Sequence, residues 1–153
     1  MVSKEVEKLL LKVQKPGRYV GGELNEVIKD KKKVDCRFAF CFPDTYEVGM
    51  SHLGMKILYS LMNTVPYIWC ERVFAPWVDM EEEMIKHNIP LYALESGDPV
   101  SDFDFIGFTL QYELSFTNML NMLRLSGVPI KSCDRKELKN LSLIHISEPT
   151  RRR

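Results

Sequence analysis

Asp44, Tyr46, Glu47, Ser51 and His52 crowd one short polar stretch of the segment from Val34 to Leu61, VDCRFAFCFPDTYEVGMSHLGMKILYSL. Carboxylates, a phenol and an imidazole supply proton donors and acceptors there, and a serine hydroxyl adds a hydrogen-bond partner. Backbone N–H groups beside Gly49 and Ser51, at a helix start, could hold an anion such as a phosphate. Two further clusters repeat the pattern. Ala75-Pro76-Trp77 with Asp79 follows one apolar run, and Gln111, Tyr112 and Glu113 follow another. Trp77 either stacks on a flat ligand or covers a sheet edge. Tyr112 and Glu113 either meet a ligand or open the next helix. Ser51 reads most simply as the N-cap of a helix beginning near Leu53. His52 reads as a structural or solvated residue of that helix's first turn, and Gly49 and Gly54 fit close backbone approach. No nucleophile–base pair, Gly-x-Ser-x-Gly turn or paired-carboxylate arrangement is found. His52 and His87 are not spaced as metal ligands, so no catalytic residue and no metal ligand is assigned.

What must position these clusters is a series of βα units. Strands are expected at Cys36 to Phe42, Ile68 to Phe74, Leu91 to Leu94 and Phe105 to Leu110, with a short piece at Pro129 to Lys131. The first and fourth are nearly continuous apolar runs, as in strands covered on both faces. Helices are expected at about Leu53 to Met62, Trp77 to His87 and Ser115 to Leu125. Acidic residues open the second, while Gly127 and Pro129 stop the third. A first helix over residues 4 to 14, with Leu9, Leu10 and Val13 on one stripe, ends at Pro16-Gly17. The fold class is therefore α/β: an open and mainly parallel sheet with helices on both faces, preceded by an N-terminal helix. In such a sheet the loops after successive strands gather on one edge, where ligands sit.

Composition narrows the function. The chain has 153 residues, 45% hydrophobic and 27% charged, about one globular domain. Its 21 basic and 21 acidic side chains balance, which leaves no electrostatic footprint for nucleic acid. Lys31-Lys32-Lys33 reads as a solvated turn rather than a phosphate patch. Gly21-Gly22 lacks the Gly-Lys-Ser/Thr ending of a phosphate-binding loop and reads as a connector. No apolar run is long enough for a membrane span, and the N-terminus has no signal-peptide core, so a cytoplasmic location is expected. Cys36, Cys41, Cys70 and Cys133 form no Cys-x-x-Cys pair; the first three read as small buried strand residues.

Residues 1–33 thus form an N-terminal helix and Gly-rich connector, and 34–140 the α/β domain. The tail is set apart. Leu141 to Arg151, LSLIHISEPTR, looks like the in-frame translation of a sequencing adapter. Residues 141–153 are therefore expected to be non-native and the gene to continue beyond them. Without them the chain holds 18 basic and 20 acidic residues, and His145 carries no functional meaning.

The strings PGRYVGGELN, FAFCFPDTYEVGMSHLGMKILY, WCERVFAPWVDME, PLYALES and DFDFIGFTLQYELSFTN closely resemble the N-terminal region of an uncharacterised radical SAM protein family, over about Leu10 to Leu138. The resemblance implies a flavodoxin-like (Rossmann-like), cobalamin-binding-like domain ahead of a radical SAM barrel whose Cys-x-x-x-Cys-x-x-Cys loop holds a 4Fe–4S cluster. No such motif occurs in this chain, so cluster and SAM are expected past residue 140. The Asp-x-His-x-x-Gly pattern of His-ligated cobalamin proteins is also absent, and cobalamin, if held, takes no protein His on cobalt. The expected function is an accessory domain that shapes the active site and binds cobalamin or part of a substrate, without catalysis of its own. The alternative is a docking domain that binds no cofactor. The expected partners are the protein's own barrel and a small molecule, with neither nucleic acid nor membrane. The cofactor-facing residues are expected to be Asp44, Tyr46, Glu47, Gly49, Ser51, His52, Trp77, Gln111, Tyr112 and Glu113.

Overall fold

The computed structural model describes residues 4–135 and 142–146. Strands β1 (Cys36–Phe42), β2 (Ile68–Phe74), β3 (Phe105–Thr109) and β4 (Ser142–Ile146) form one parallel sheet in the order β2-β1-β3-β4. Helices α1 (Lys4–Leu10), α2 (Tyr46–Ser51), α3 (Leu53–Thr64), α4 (Val78–His87) and α5 (Ser115–Leu125) surround it. The chain leaves β1 towards β2, then returns across β1 to β3. Because crossovers are right-handed, that reversal puts α3 on one face and α4 and α5 on the other. It also opens a switch point between β1 and β3.

Both faces are dry. Phe38, Phe40, Phe42, Cys70 and Phe74 meet Met55 and Tyr59 of α3. Ala39, Cys41, Val73, Ile106 and Phe108 meet Val6 and Leu9 of α1, Met80 and Met84 of α4, and Met122 and Leu123 of α5. The alternation of phenylalanine with small residues in β1 matches the period of two. It places Cys36 and Cys41 on opposite faces, as the sequence predicts. Cys41 and Cys70 are buried, whereas Cys36 is only half-buried. Gly107 of β3 makes room for this packing: a Cβ there would lie 2.3 Å from Cζ of Phe38. The ring is held between Phe40 and Phe105. Gly107→Ala should therefore cost about 1–3 kcal/mol, as overpacked cores do, measured as a lower denaturant midpoint at unchanged slope. An unchanged midpoint would show that the Phe38 ring can slide away.

The structure corrects several expected elements. α1 stops at Leu10, although Val13 still packs in the core. The loop expected between Pro43 and Leu53 contains α2, so Gly49 is a buried helical residue. Residues 91–94 are buried but form no strand; only an isolated Tyr92–Pro99 bridge occurs, because the chain turns back at Gly97, φ 74°. Residues 129–131 form no strand either. The sheet position beside β3 is taken by β4, within the stretch that the sequence sets apart.

The outer edge of β2 shows how a charged strand is accommodated. Its odd residues pair with β1, which leaves the backbone groups of Ile68, Cys70 and Arg72 facing outward. The Lys29 ammonium donates to the Ile68 carbonyl. The Asn63 amide takes both Cys70 groups, each at 3.0 Å. Leu94 N–H donates to Arg72 O at 2.9 Å, and Arg72 N–H donates to Glu95 Oε2 at 2.7 Å. An edge plugged this way cannot template pairing with another chain.

Candidate functional site

The loops after β1, β2 and β3 meet on one edge. Tyr112 Oη donates to Asp44 Oδ2 at 3.1 Å across the switch point. Ala75 N–H donates to Asp44 O at 3.0 Å, and Asn118 Nδ2 donates to Pro43 O at 2.9 Å. Asp44 is the hub, and its other carboxylate oxygen accepts from Thr45 N–H at 2.7 Å. Asp44 also holds the Tyr112 phenol in its protonated form, raising its pKa. Gln111, Tyr112 and Glu113 are exposed beside it, with Gln111 Nε2 donating to Thr109 Oγ1 at 2.7 Å. Trp77 precedes α4, 46% exposed, with the Arg18 guanidinium 5.5 Å from its ring and its backbone N–H donating to Tyr19 Oη.

The remaining expected site residues have partners within the fold. Tyr46 packs edge-on against Phe74, and burial together with nearby Glu23 raises its pKa. Glu47 turns outward to Arg18 and Lys15 at 2.9 and 3.2 Å; the Arg18 bond lowers its pKa. Gly49 sits against Phe74, so that a Cβ would come 2.2 Å from that ring, and this contact requires glycine rather than any loop or ligand. Ser51 ends α2, its hydroxyl donating to Val48 O at 2.7 Å. The N-cap of α3 is His52, not Ser51: His52 Nδ1 accepts Met55 N–H at 3.1 Å, and its ring lies 5.4 Å from that of Phe42. An accepting Nδ1 places the proton of the neutral ring on Nε2. Asp44, Gln111, Tyr112, Glu113 and Trp77 thus share the rim, whereas Tyr46, Gly49, Ser51 and His52 build its support.

Sequence reasoning missed a second feature. A cleft of about 690 Å³ opens between the connector residues 23–27 and α3. Its floor carries Arg72, buried on β2. Arg72 Nε donates to Glu95 Oε1 at 2.6 Å, Nη2 to Glu23 Oε2 at 2.9 Å and Nη1 to Met50 Sδ at 3.3 Å. The guanidinium also lies 4.6 Å from the Tyr59 ring centre. Glu95 is 3% exposed, and burial pushes its carboxyl up to about 7 against the attraction of Arg72. On the opposite face Glu71, also buried, pairs with Arg37 at 2.5 Å and accepts Ser96 N–H at 3.1 Å. Burial raises the Glu71 pKa as well. The turn at 95–98 therefore serves both charges of β2 at once. The available signal was the pair Glu71-Arg72 inside the apolar run IWCERVF, since buried charges require partners.

Burial pushes the Cys41 and Cys70 thiols far up, so neither offers a ready thiolate. Among the described residues no three His, Cys, Asp or Glu side chains group as a metal site, and no helix is long and apolar enough to cross a membrane. The family model described as "Radical SAM proteins, N-terminal" matches residues 54–146. No curated protein and no solved structure matches the chain.

Proposed function

The chain belongs to the radical SAM N-terminal family, and on that premise we propose that its α/β domain is an accessory domain that works against a radical SAM barrel and does no chemistry alone. The rim at the strand ends, with Asp44 as its hub, would face the reacting centre and enclose cobalamin or part of the substrate. The convergence of three loops on one edge supports this most directly. The sequence has no Cys-x-x-x-Cys-x-x-Cys, the motif that would hold the catalytic cluster.

The residues do not fit a His-ligated cobalamin. His52 Nδ1 is occupied as a helix cap. A corrin on the rim would rest on Trp77 and Tyr112. Titrating the chain with hydroxocobalamin tests this. A saturable visible-band shift, weakened severalfold by Trp77→Ala, is the expected result. A flat spectrum with the folded chain would overturn cobalamin binding. It would favour the docking alternative, for which the exposed stripe Leu53, Ile57 and Leu61 on α3 already speaks.

A further inference from the structure

The cleft between the connector and α3 contains two polar groups whose hydrogen bonding is incomplete. Among the described residues Glu23 Oε1 is buried without a partner in hydrogen-bond geometry, while Oε2 of the same carboxylate holds Arg72 and the Tyr46 phenol lies near by. Among the described residues Arg72 Nη1 donates to the Met50 thioether alone, and sulfur is a weak acceptor. An unmet acceptor and a poorly met donor thus belong to two paired residues that line one cavity. Leaving such groups unpaired costs more than pairing them gains, so the site favours whatever completes both.

We infer that this cleft binds a neutral, nucleoside-sized heterocycle through an amide-like edge, its N–H donor on Glu23 Oε1 and its lone-pair acceptor on Arg72 Nη1. Three observations set that class. The volume of about 690 Å³ falls in the range of small-molecule sites and exceeds what a lone amine fills. Val27, Met50 and Met55 supply apolar, adaptable walls, with Ser60 and Thr64 at hand for hydroxyl substituents. The lining charges balance, Glu23 and Glu26 against Lys56 and Arg72, so a phosphate gains no net attraction. The site is separate from the rim, and its success or failure does not depend on cobalamin.

Calorimetric titration of the chain with adenosine, AMP and N6,N6-dimethyladenosine tests the assignment. Adenosine should bind saturably, with AMP no tighter. The dimethyl analogue, which lacks the donor, should bind at least tenfold more weakly. Glu23→Gln should lose at least tenfold for adenosine while melting as a folded protein, and Glu82→Gln, exposed on α4 across the sheet, should bind as the parent does. Absence of saturable adenosine binding at millimolar concentration, equal binding of the dimethyl analogue, or tighter binding of AMP would each overturn it.

Discussion

Replacing Arg72 with Met should destabilise the protein by about 3–5 kcal/mol at pH 8, the range for removing one partner of a buried ion pair. Arg72 is 5% exposed and serves Glu95, Glu23 and Met50 through three separate nitrogens. Methionine fills part of the volume over Tyr59, so lost packing accounts for little of the effect. The larger cost is the Glu95 carboxylate, 3% exposed, left without the charge of Arg72. At pH 5 the loss should be smaller, because Glu95 then carries a proton in the folded state. Arg72→Met with Glu95→Gln should recover part of the stability, since the stranded charge is gone. Equal denaturation midpoints for Arg72→Met and the parent at pH 8 would mean that water already reaches this pair.

How far such features can be read from sequence depends on whether their cause is local. β1 and β2 lie where the sequence places them, because each is an apolar run with Pro43 or Ala75-Pro76 just beyond its end. α5 is equally legible, with Gly127, φ 68°, turning the chain after it. α2 is not: Gly49 signals a loop by type, yet it is helical because the Phe74 ring leaves no room for a side chain. The cap of α3 fails similarly, since Ser51 has the better propensity while His52 has the position. Residues 91–94 read as a strand because a short apolar run looks alike in a strand and in a buried turn. The rim was legible, since parallel topology alone brings strand ends together. The cleft was not, because Glu23 and Arg72 are far apart in sequence and no spacing announces their contact. The turn carrying Glu95 is hidden for the same reason, although the charged pair in β2 demands something like it.

Glu95 should also set a pH dependence of stability opposite in sign to ordinary acid unfolding. Its carboxyl moves from the usual 4.5 to about 7 in the folded protein, through burial that outweighs Arg72. The folded state therefore binds more protons than the unfolded state between those values, and stability must fall as pH rises through them. The stabilisation is fully present below about 4.5 and lost above about 7, a swing of about 3 kcal/mol. Carboxylates held low by cations, Asp98 beside Lys31 and Arg37 among them, lose their contribution only as pH falls towards their own lower values, so they leave this window largely clear. Glu71 shares the direction of Glu95, so the parent's slope belongs to both. Glu95→Gln isolates the larger share: urea denaturation from pH 4.5 to 7.5 should show a flatter fall in the variant than in the parent. The two curves should lie closest at the acid end, where glutamine stands in for the protonated carboxyl, and diverge as pH rises. Parallel curves would show that Glu95 stays ionised throughout, with the Arg72 pair strong enough to offset the cost of burying both charges.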